Sequence, residues 1–347
     1  MTAAPVLVTG ATGFVASRLV EQLLVRGYRV RGTVRSAKKP GDVDRLRQLP
    51  GAAERLELVE ADLTVPGSFA APAMGCEVVM HAASPYVINV KDPQRDLVNP
   101  AVQGTRDVLG AAVQAGSVRR VVLTSSFAAV TDEPDATHVL TEADWNEKSS
   151  LTRNPYYYSK TLAEKAAWSF VSENAPSFDL VAINPFTIIG PSLVASLNES
   201  NKLVRDIMTG TFPAIVSLTL GYVDVRDVAL AHIKAMETPA AHGRYLCAED
   251  VMSMRELVTL LRAHGYGRYK LPSLGLDSPF GTSFMRLAAL TQSRGAASFL
   301  RTNLGRVPRY DATRIRTELG MTFRPAAESV LDTVPDLIKW GHLPARS

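Results

Sequence analysis

Short apolar runs alternate with longer amphipathic stretches through the first half of the chain. Residues 6–9, 28–34 and 56–60 are apolar runs of strand length, and residues 14–26 between the first two repeat with a helical period. Residues 76–83 and 120–124 are further apolar runs too short for helices, separated by a helical stretch over 99–115. Residues 156–173 again show a helical period, with Leu162, Ala166 and Phe170 on one face, and 178–183 supply a sixth strand ending at Asn184 and Pro185. Strand, helix and strand in this rotation predict βαβ units and a parallel sheet, with functional residues just beyond the strands' C-terminal ends. After Pro191 the pattern loosens. Residues 221–225 and 244–247 read as returns to the sheet, and 273–308 are rich in Gly, Ser and Arg, so a small second lobe is expected over 186–347 beside a main unit over 1–185.

The first strand runs into Thr9-Gly-Ala-Thr-Gly-Phe-Val15. Gly10 permits a tight turn after a buried strand, and Gly13 lets a pyrophosphate approach the backbone at a helix N-terminus, where free N–H groups and the helix dipole favour anions. Ala16 stands where a third glycine is usual and is still small enough for helix-on-sheet packing. The fold class expected is therefore α/β: a Rossmann-type doubly wound parallel sheet with a smaller C-terminal substrate-binding lobe, the turn binding a dinucleotide. An acidic residue near the end of strand 2 would accept from the ribose hydroxyls of NAD; here the stretch is Thr33-Val-Arg-Ser36. Arg35 can fork onto the 2′-phosphate of NADP, with Lys39 as a nearby point charge, at about 1.5 to 3 kcal/mol per charge-assisted contact. A solvated surface arginine is the alternative. Asp62 after strand 3 can accept from the adenine amino group while Leu63 covers the ring, or it is a loop aspartate capping a turn.

His81-Ala-Ala-Ser-Pro85 ends strand 4 with small residues suited to a close approach, His81 itself reading as a packed strand residue rather than a proton shuttle. At the end of strand 5, Thr124-Ser-Ser126 offers a hydroxyl to a substrate carbonyl. Tyr156 and Lys160 lie about one helical turn apart on one face. A tyrosine with an ordinary pKa of about 10 needs a neighbouring cation to work near neutrality, and Lys160 supplies one. The pair is a weak signal alone; its strength comes from following a glycine turn and a strand-end serine. Tyr157 and Tyr158 lack that spacing and are assigned to packing or the pocket wall.

Composition narrows the alternatives. The 347 residues are 46% hydrophobic and 21% charged, an ordinary globular balance. A net charge of +4 is spread thinly, with Lys38-Lys39 the densest basic run, so a nucleic-acid partner is not expected. Cys76 and Cys247 have no paired spacing and read as small buried hydrophobes in a reducing compartment. No basic, apolar leader and no uninterrupted apolar span is evident, so a cytoplasmic protein without a membrane partner is expected. The six histidines show no metal-ligand spacing, and HExxH, nucleophile-elbow and GxxxxGK motifs are absent.

With these residues placed, the chain resembles the extended short-chain dehydrogenases/reductases, in the branch of dihydroflavonol 4-reductases, cinnamoyl-CoA reductases and methylglyoxal reductase. The resemblance spans nearly the whole chain. It is carried by Thr9 to Phe14, Arg35, His81 to Pro85, Val122-Leu-Thr-Ser-Ser126, Tyr156 to Lys160, Glu164-Lys-Ala-Ala-Trp168, Asn184-Pro185 and Tyr222-Val-Asp-Val-Arg-Asp227. It implies NADP(H) as cofactor and a catalytic set of Ser126, Tyr156 and Lys160, Ser126 being preferred to Ser125 as the last serine of its run. The cofactor would lie along Thr9, Gly10, Thr12, Gly13, Phe14, Val15, Arg35, Lys39, Asp62, Leu63, Ala82, Ala83, Ser84, Thr124 and Pro185. Substrate contacts are expected from Tyr86, Val87, Thr131, Arg153, Phe186 and Tyr222, with Arg153 placed to meet a substrate carboxylate or phosphate unless it faces solvent. Many members carry a relay asparagine about three residues before Gly104, where this chain has Ala101; either Asn99 or Gln103 substitutes, or the relay runs differently.

The activity implied is NADPH-dependent reduction of an aldehyde or ketone by a monomer or homodimer. A nucleotide-sugar epimerase or dehydratase shares the fold and tyrosine but retains NAD, against which Val34-Arg35 speaks. A non-catalytic NADPH-sensing regulator would usually lack the Tyr and Lys that this chain keeps.

Overall fold

The computed structural model describes residues 4–37, 41–84, 90–135, 137–289 and 294–345. Its strands are β1 (Val6–Val8), β2 (Val30–Val34), β3 (Leu56–Glu60), β4 (Val78–His81), β5 (Arg120–Thr124), β6 (Asp179–Pro185), β7 (Thr187–Ile189), β8 (Ala214–Val216), β9 (Thr219–Asp224), β10 (Gly243–Cys247), β11 (Asp250–Ser253) and β12 (Leu274–Leu276). The helices are α1 (Phe14–Val25), α2 (Asp42–Arg47), α3 (Ala52–Arg55), α4 (Ala70–Ala73), α5 (Asn99–Ala115), α6 (Pro155–Asn174), α7 (Glu199–Thr209), α8 (Val225–Glu237), α9 (Met254–Ala263), α10 (Pro279–Ala288), α11 (Arg294–Asn303), α12 (Thr313–Glu318) and α13 (Ala326–Lys339).

Seven strands form one parallel sheet in the order β10-β6-β5-β4-β1-β2-β3. Alternation along its strands sorts side chains to two faces. Val6, Val8, Val122, Val181 and Ile183 join α1 and α8 in one core, while Leu7, Val121, Leu123, Leu180 and Ala182 join α5 and α6 in another. Both faces are thus covered, which is why the strands read as nearly continuous apolar runs. The chain leaves β1 in one direction through β2 and β3 and in the other through β4, β5 and β6. The winding reverses between β1 and β4, and the region beyond their carboxyl ends is the usual ligand crevice in such a sheet.

The expectation for 221–225 is corrected. Residues 221–224 lie in β9, which pairs parallel with β7 and antiparallel with β11 in a separate three-stranded sheet, and Val225 opens α8. Only β10 returns to the large sheet, beside β6. A third core, built on Ile189, Val204, Ile207, Tyr222, Leu257, Leu261, Val330 and Val334, unites β7, β9, α7, α9 and α13.

Candidate active site

The glycine turn and the end of β4 meet at the crevice. Gly10 has φ +66°, and a Cβ there would sit 3.1 Å from the Ala83 Cβ, so only glycine lets β1 and β4 close up at this point. The Thr9 hydroxyl accepts from Ala83 N–H at 2.9 Å and lies 3.0 Å from His81 Nδ1, while Gly10 N–H donates to Thr33 Oγ1. Burial pushes His81 down to about 3, with the Lys160 charge adding to the effect, so the imidazole is neutral and shares one hydrogen bond with the Thr9 hydroxyl. Thr9 and His81 therefore brace the turn. Gly13 caps α1 without any side chain, leaving first-turn N–H groups of Phe14 and Val15 for an anion. A close-approach glycine beside an uncapped helix N-terminus fits a dinucleotide pyrophosphate.

At the far end of that groove, Arg35 is exposed beyond β2, and its charge reaches Asp62. Asp62 Oδ1 accepts from the backbone N–H and the hydroxyl of Thr64, which, with Arg35, hold its carboxyl below the usual range. It caps a turn, so only its remaining oxygen can face adenine. Leu63 packs over Gly104 of α5, where a Cβ would meet its side chain at 2.8 Å. Lys39, Tyr86 and Val87 lie outside the described residues.

On the other side of the crevice, α6 projects Lys160 inward. Its Nζ donates to Ser84 Oγ at 2.9 Å and lies 5.9 Å from the centre of the Tyr156 ring. Burial lowers Lys160 to about 8, although the Glu164 carboxylate one turn on favours its charge. The lysine thus bridges the end of β4 and the tyrosine. The two serines after β5 separate clearly. Ser125 is buried and donates to Glu164 Oε2 at 2.5 Å, whereas Ser126 accepts from Ala128 N–H at 3.1 Å, capping the 3₁₀ turn Phe127–Ala129. Thr124 turns the other way: its hydroxyl donates to His232 Nε2 at 2.7 Å, since His232 Nδ1 must donate to the Val228 carbonyl. That side chain is spent on α8 packing, and the expected cofactor contact from it is not supported.

Glu164 is the part of the site that only a motif marked beforehand. Its carboxylate is fully enclosed and accepts from Ser125, Trp168 Nε1, Asn184 Nδ2 and Arg244 Nε, the last at 2.7 Å. Arg244, in β10, also donates to the carbonyls of Glu142 and Asp144 and stacks 3.9 Å over Trp145. Asn184 further donates to the Ser126 carbonyl at 3.2 Å. One carboxylate therefore fixes β5, β6, β10 and α6 around the two serines. A polar residue four positions beyond Lys160, on a helix's inner face, was the available signal.

The expected substrate residues fall into different places. Phe186 stacks on Phe127 at 3.6 Å and leans on Tyr310 at 4.6 Å, and Gly221 is needed because a Cβ there would strike the Phe186 ring. Thr131 accepts from Glu133 N–H in the loop after Ser126. Tyr222 is 3% exposed inside the third core, so it is a packing residue rather than a pocket wall. Arg153 is half-exposed, and Asp132 and Glu133 take its Nε and Nη2 at 2.8 and 2.6 Å, so a substrate anion would share this guanidinium with two carboxylates. Ala101 is buried, while Asn99 and Gln103 are exposed and bonded to Gln94 and Asp107, so neither fills the relay position. Among the described residues no cluster of His, Cys, Asp or Glu could hold a metal, and no helix is long and apolar enough to cross a membrane.

Comparison with known proteins matches residues 6–248 to the NAD dependent epimerase/dehydratase family. The chain belongs to that family. Within it the similarity runs to reductases: 40% identity over 344 residues with cinnamoyl-CoA reductase CAD2 of Medicago truncatula, covering 96% of this chain and 95% of that protein. Tetraketide alpha-pyrone reductase 1 of Arabidopsis thaliana is 38% identical, covering 97% and 96%. Among solved structures, Gre2 from Candida albicans superposes with a TM-score of 0.81 at 32% identity, covering 98% of this chain and 100% of that one. The chain is thus an extended short-chain dehydrogenase/reductase of the branch that the motifs indicated.

Proposed function

We propose that the protein reduces an aldehyde or ketone to an alcohol with NADPH. The observation that carries this reading is the single crevice in which the Gly10–Ala83 cradle, the Lys160–Ser84 bond and the Tyr156 ring adjoin. Yeast Gre2, a methylglyoxal/isovaleraldehyde reductase, and Candida albicans Gre2 have both been solved with NADPH, and their similarity to this chain supports the cofactor. Arg35, in place of a ribose-binding carboxylate, supports the phosphorylated form.

NADPH would lie with its pyrophosphate over Gly10, Gly13 and the start of α1, its 2′-phosphate at Arg35 and its nicotinamide end beside Ser84 and Pro185. When bound it supplies the hydride. Ser126, free of the Glu164 bond that commits Ser125, orients the carbonyl oxygen. Tyr156 gives its phenolic proton to that oxygen as negative charge develops there. Lys160, cationic below about pH 8, stabilises the phenolate left behind and takes its position from Ser84.

The test is loss of NADPH or NADH absorbance against a panel of aliphatic and aromatic aldehydes, ketones, a keto acid and a diketone. Turnover with NADPH well above that with NADH is expected. Tyr156→Phe should lose roughly 10² to 10⁴ in kcat, the usual contribution of a positioned acid, with NADPH affinity within about twofold of the parent. Undiminished turnover by Tyr156→Phe, or a parent enzyme inert toward every carbonyl while binding NADPH tightly, would contradict the reading.

A further inference from the structure

The start of α6 is held by an arrangement that proton transfer itself does not use. Asn154, two residues before Tyr156, is 3% exposed and has φ 47° and ψ 61°, a left-handed backbone that asparagine tolerates better than other side chains. Its backbone N–H donates to Ser298 Oγ at 2.9 Å, and its Nδ2 donates to Thr302 Oγ1 at 3.0 Å and to Asp132 Oδ2 at 3.2 Å. Asp132 is six residues beyond Ser126, its side chain only 1% exposed, and it accepts from Arg153 Nε at 2.8 Å. Glu133 accepts from Arg153 and from Arg306, and Lys148 lies 3.4 Å away. Ser298, Phe299 and Thr302 share one face of α11, and Phe299 packs against Tyr157 with ring centres 6.4 Å apart.

Three separate pieces of chain therefore converge within two residues of Tyr156: the loop carrying Ser126, the first turn of α6, and α11 of the second lobe. A carboxylate buried against a half-exposed guanidinium is not the strongest way to join them, since apolar side chains of similar volume can pack as well or better; what a charged and hydrogen-bonded joint adds is one geometry. We propose that Asp132, Arg153 and Asn154 form a positioning clamp through which the seating of α11 sets the placement of Tyr156 relative to Ser126. Arg153 is then a positioning residue, not a substrate anchor. The clamp rests on the reading of Tyr156 as the acid, and α11 becomes the element by which the second lobe reports its position to the chemistry.

Three variants test it: Arg153→Met, Arg153→Lys, and Thr302→Val, which removes one acceptor from α11 without touching a charge. In the full-length protein, kcat is expected to fall about tenfold in Arg153→Met and about threefold in Thr302→Val, because small misplacements at a reacting group are costly, with NADPH affinity held within about twofold. The acid's apparent pKa in the pH profile of kcat should shift in Arg153→Met, and Arg153→Lys, which keeps a single ion pair, should recover part of the loss. Hydrogen exchange of amides 294–303 should accelerate in Arg153→Met. An unchanged kcat, or a loss that follows NADPH affinity or melting temperature, overturns the clamp. So does unchanged exchange in α11, a readout that holds even if the parent shows no carbonyl turnover, which would instead sink the reductase reading.

Discussion

At Lys160, burial and charge oppose each other in a way that sets a pH limit. Enclosure penalises the ammonium and lowers it to about 8 from an ordinary 10.5, the nearby Glu164 offsetting part of the shift. Below about 8 the group is cationic and can stabilise a Tyr156 phenolate; as pH rises through that value the stabilisation is lost. kcat/KM for reduction should therefore fall above a pH of about 8, and Lys160→Met should remove this limb along with most activity. A profile flat to pH 9.5 would contradict it. The stability consequence has the opposite sign. Between about 8 and 10.5 the unfolded chain binds a proton that the native one does not, so this group makes native stability rise with pH across that window. Ser126, Tyr156 and Lys160 could be singled out in the sequence because each stands at a strand end or a fixed helical spacing. Arg153 could be marked in the sequence only as a substrate contact, because nothing local shows that Asp132 and Glu133, some twenty residues earlier, fold back onto it.

Among elements, the βαβ half was legible because strands buried on both faces must be apolar throughout and helices between them must be amphipathic. The limits are equally physical. Segment 221–225 has the character of a strand, but periodicity does not name its partner, and β7, three residues long, carries too little pattern to be seen. The joint at Glu164 was hidden for a related reason: its partners are Ser125 just beyond β5, Asn184 in β6 and Arg244 in β10, far apart in the chain. That joint has a measurable weight. Glu164→Ala leaves the Arg244 guanidinium buried without its carboxylate, and should destabilise the fold by roughly 3 to 5 kcal/mol in urea unfolding. Glu57→Ala, which removes an exposed partner of Arg31, should change stability by no more than about 1 kcal/mol. Equal effects of the two would mean that the Glu164 joint does not hold the sheet's carboxyl ends together.

For the whole molecule, function follows from where the sheet's winding reverses. Gly10 and Ala83 meet between β1 and β4, β5 and β6 deliver Ser126 and Pro185 to the same edge, and α6 lays Tyr156 and Lys160 across it. Helix α11, packed on the third core, touches that edge beside the tyrosine. What the protein does with this arrangement is most directly read by following the hydride itself. NADPH carrying deuterium at C4 would be incubated with the parent enzyme and the best carbonyl of the panel, and the product alcohol examined by mass spectrometry. One deuterium on the carbinol carbon is expected for each NADPH consumed; alcohol formed without the label, or no alcohol while NADPH binds, would overturn the reductase reading.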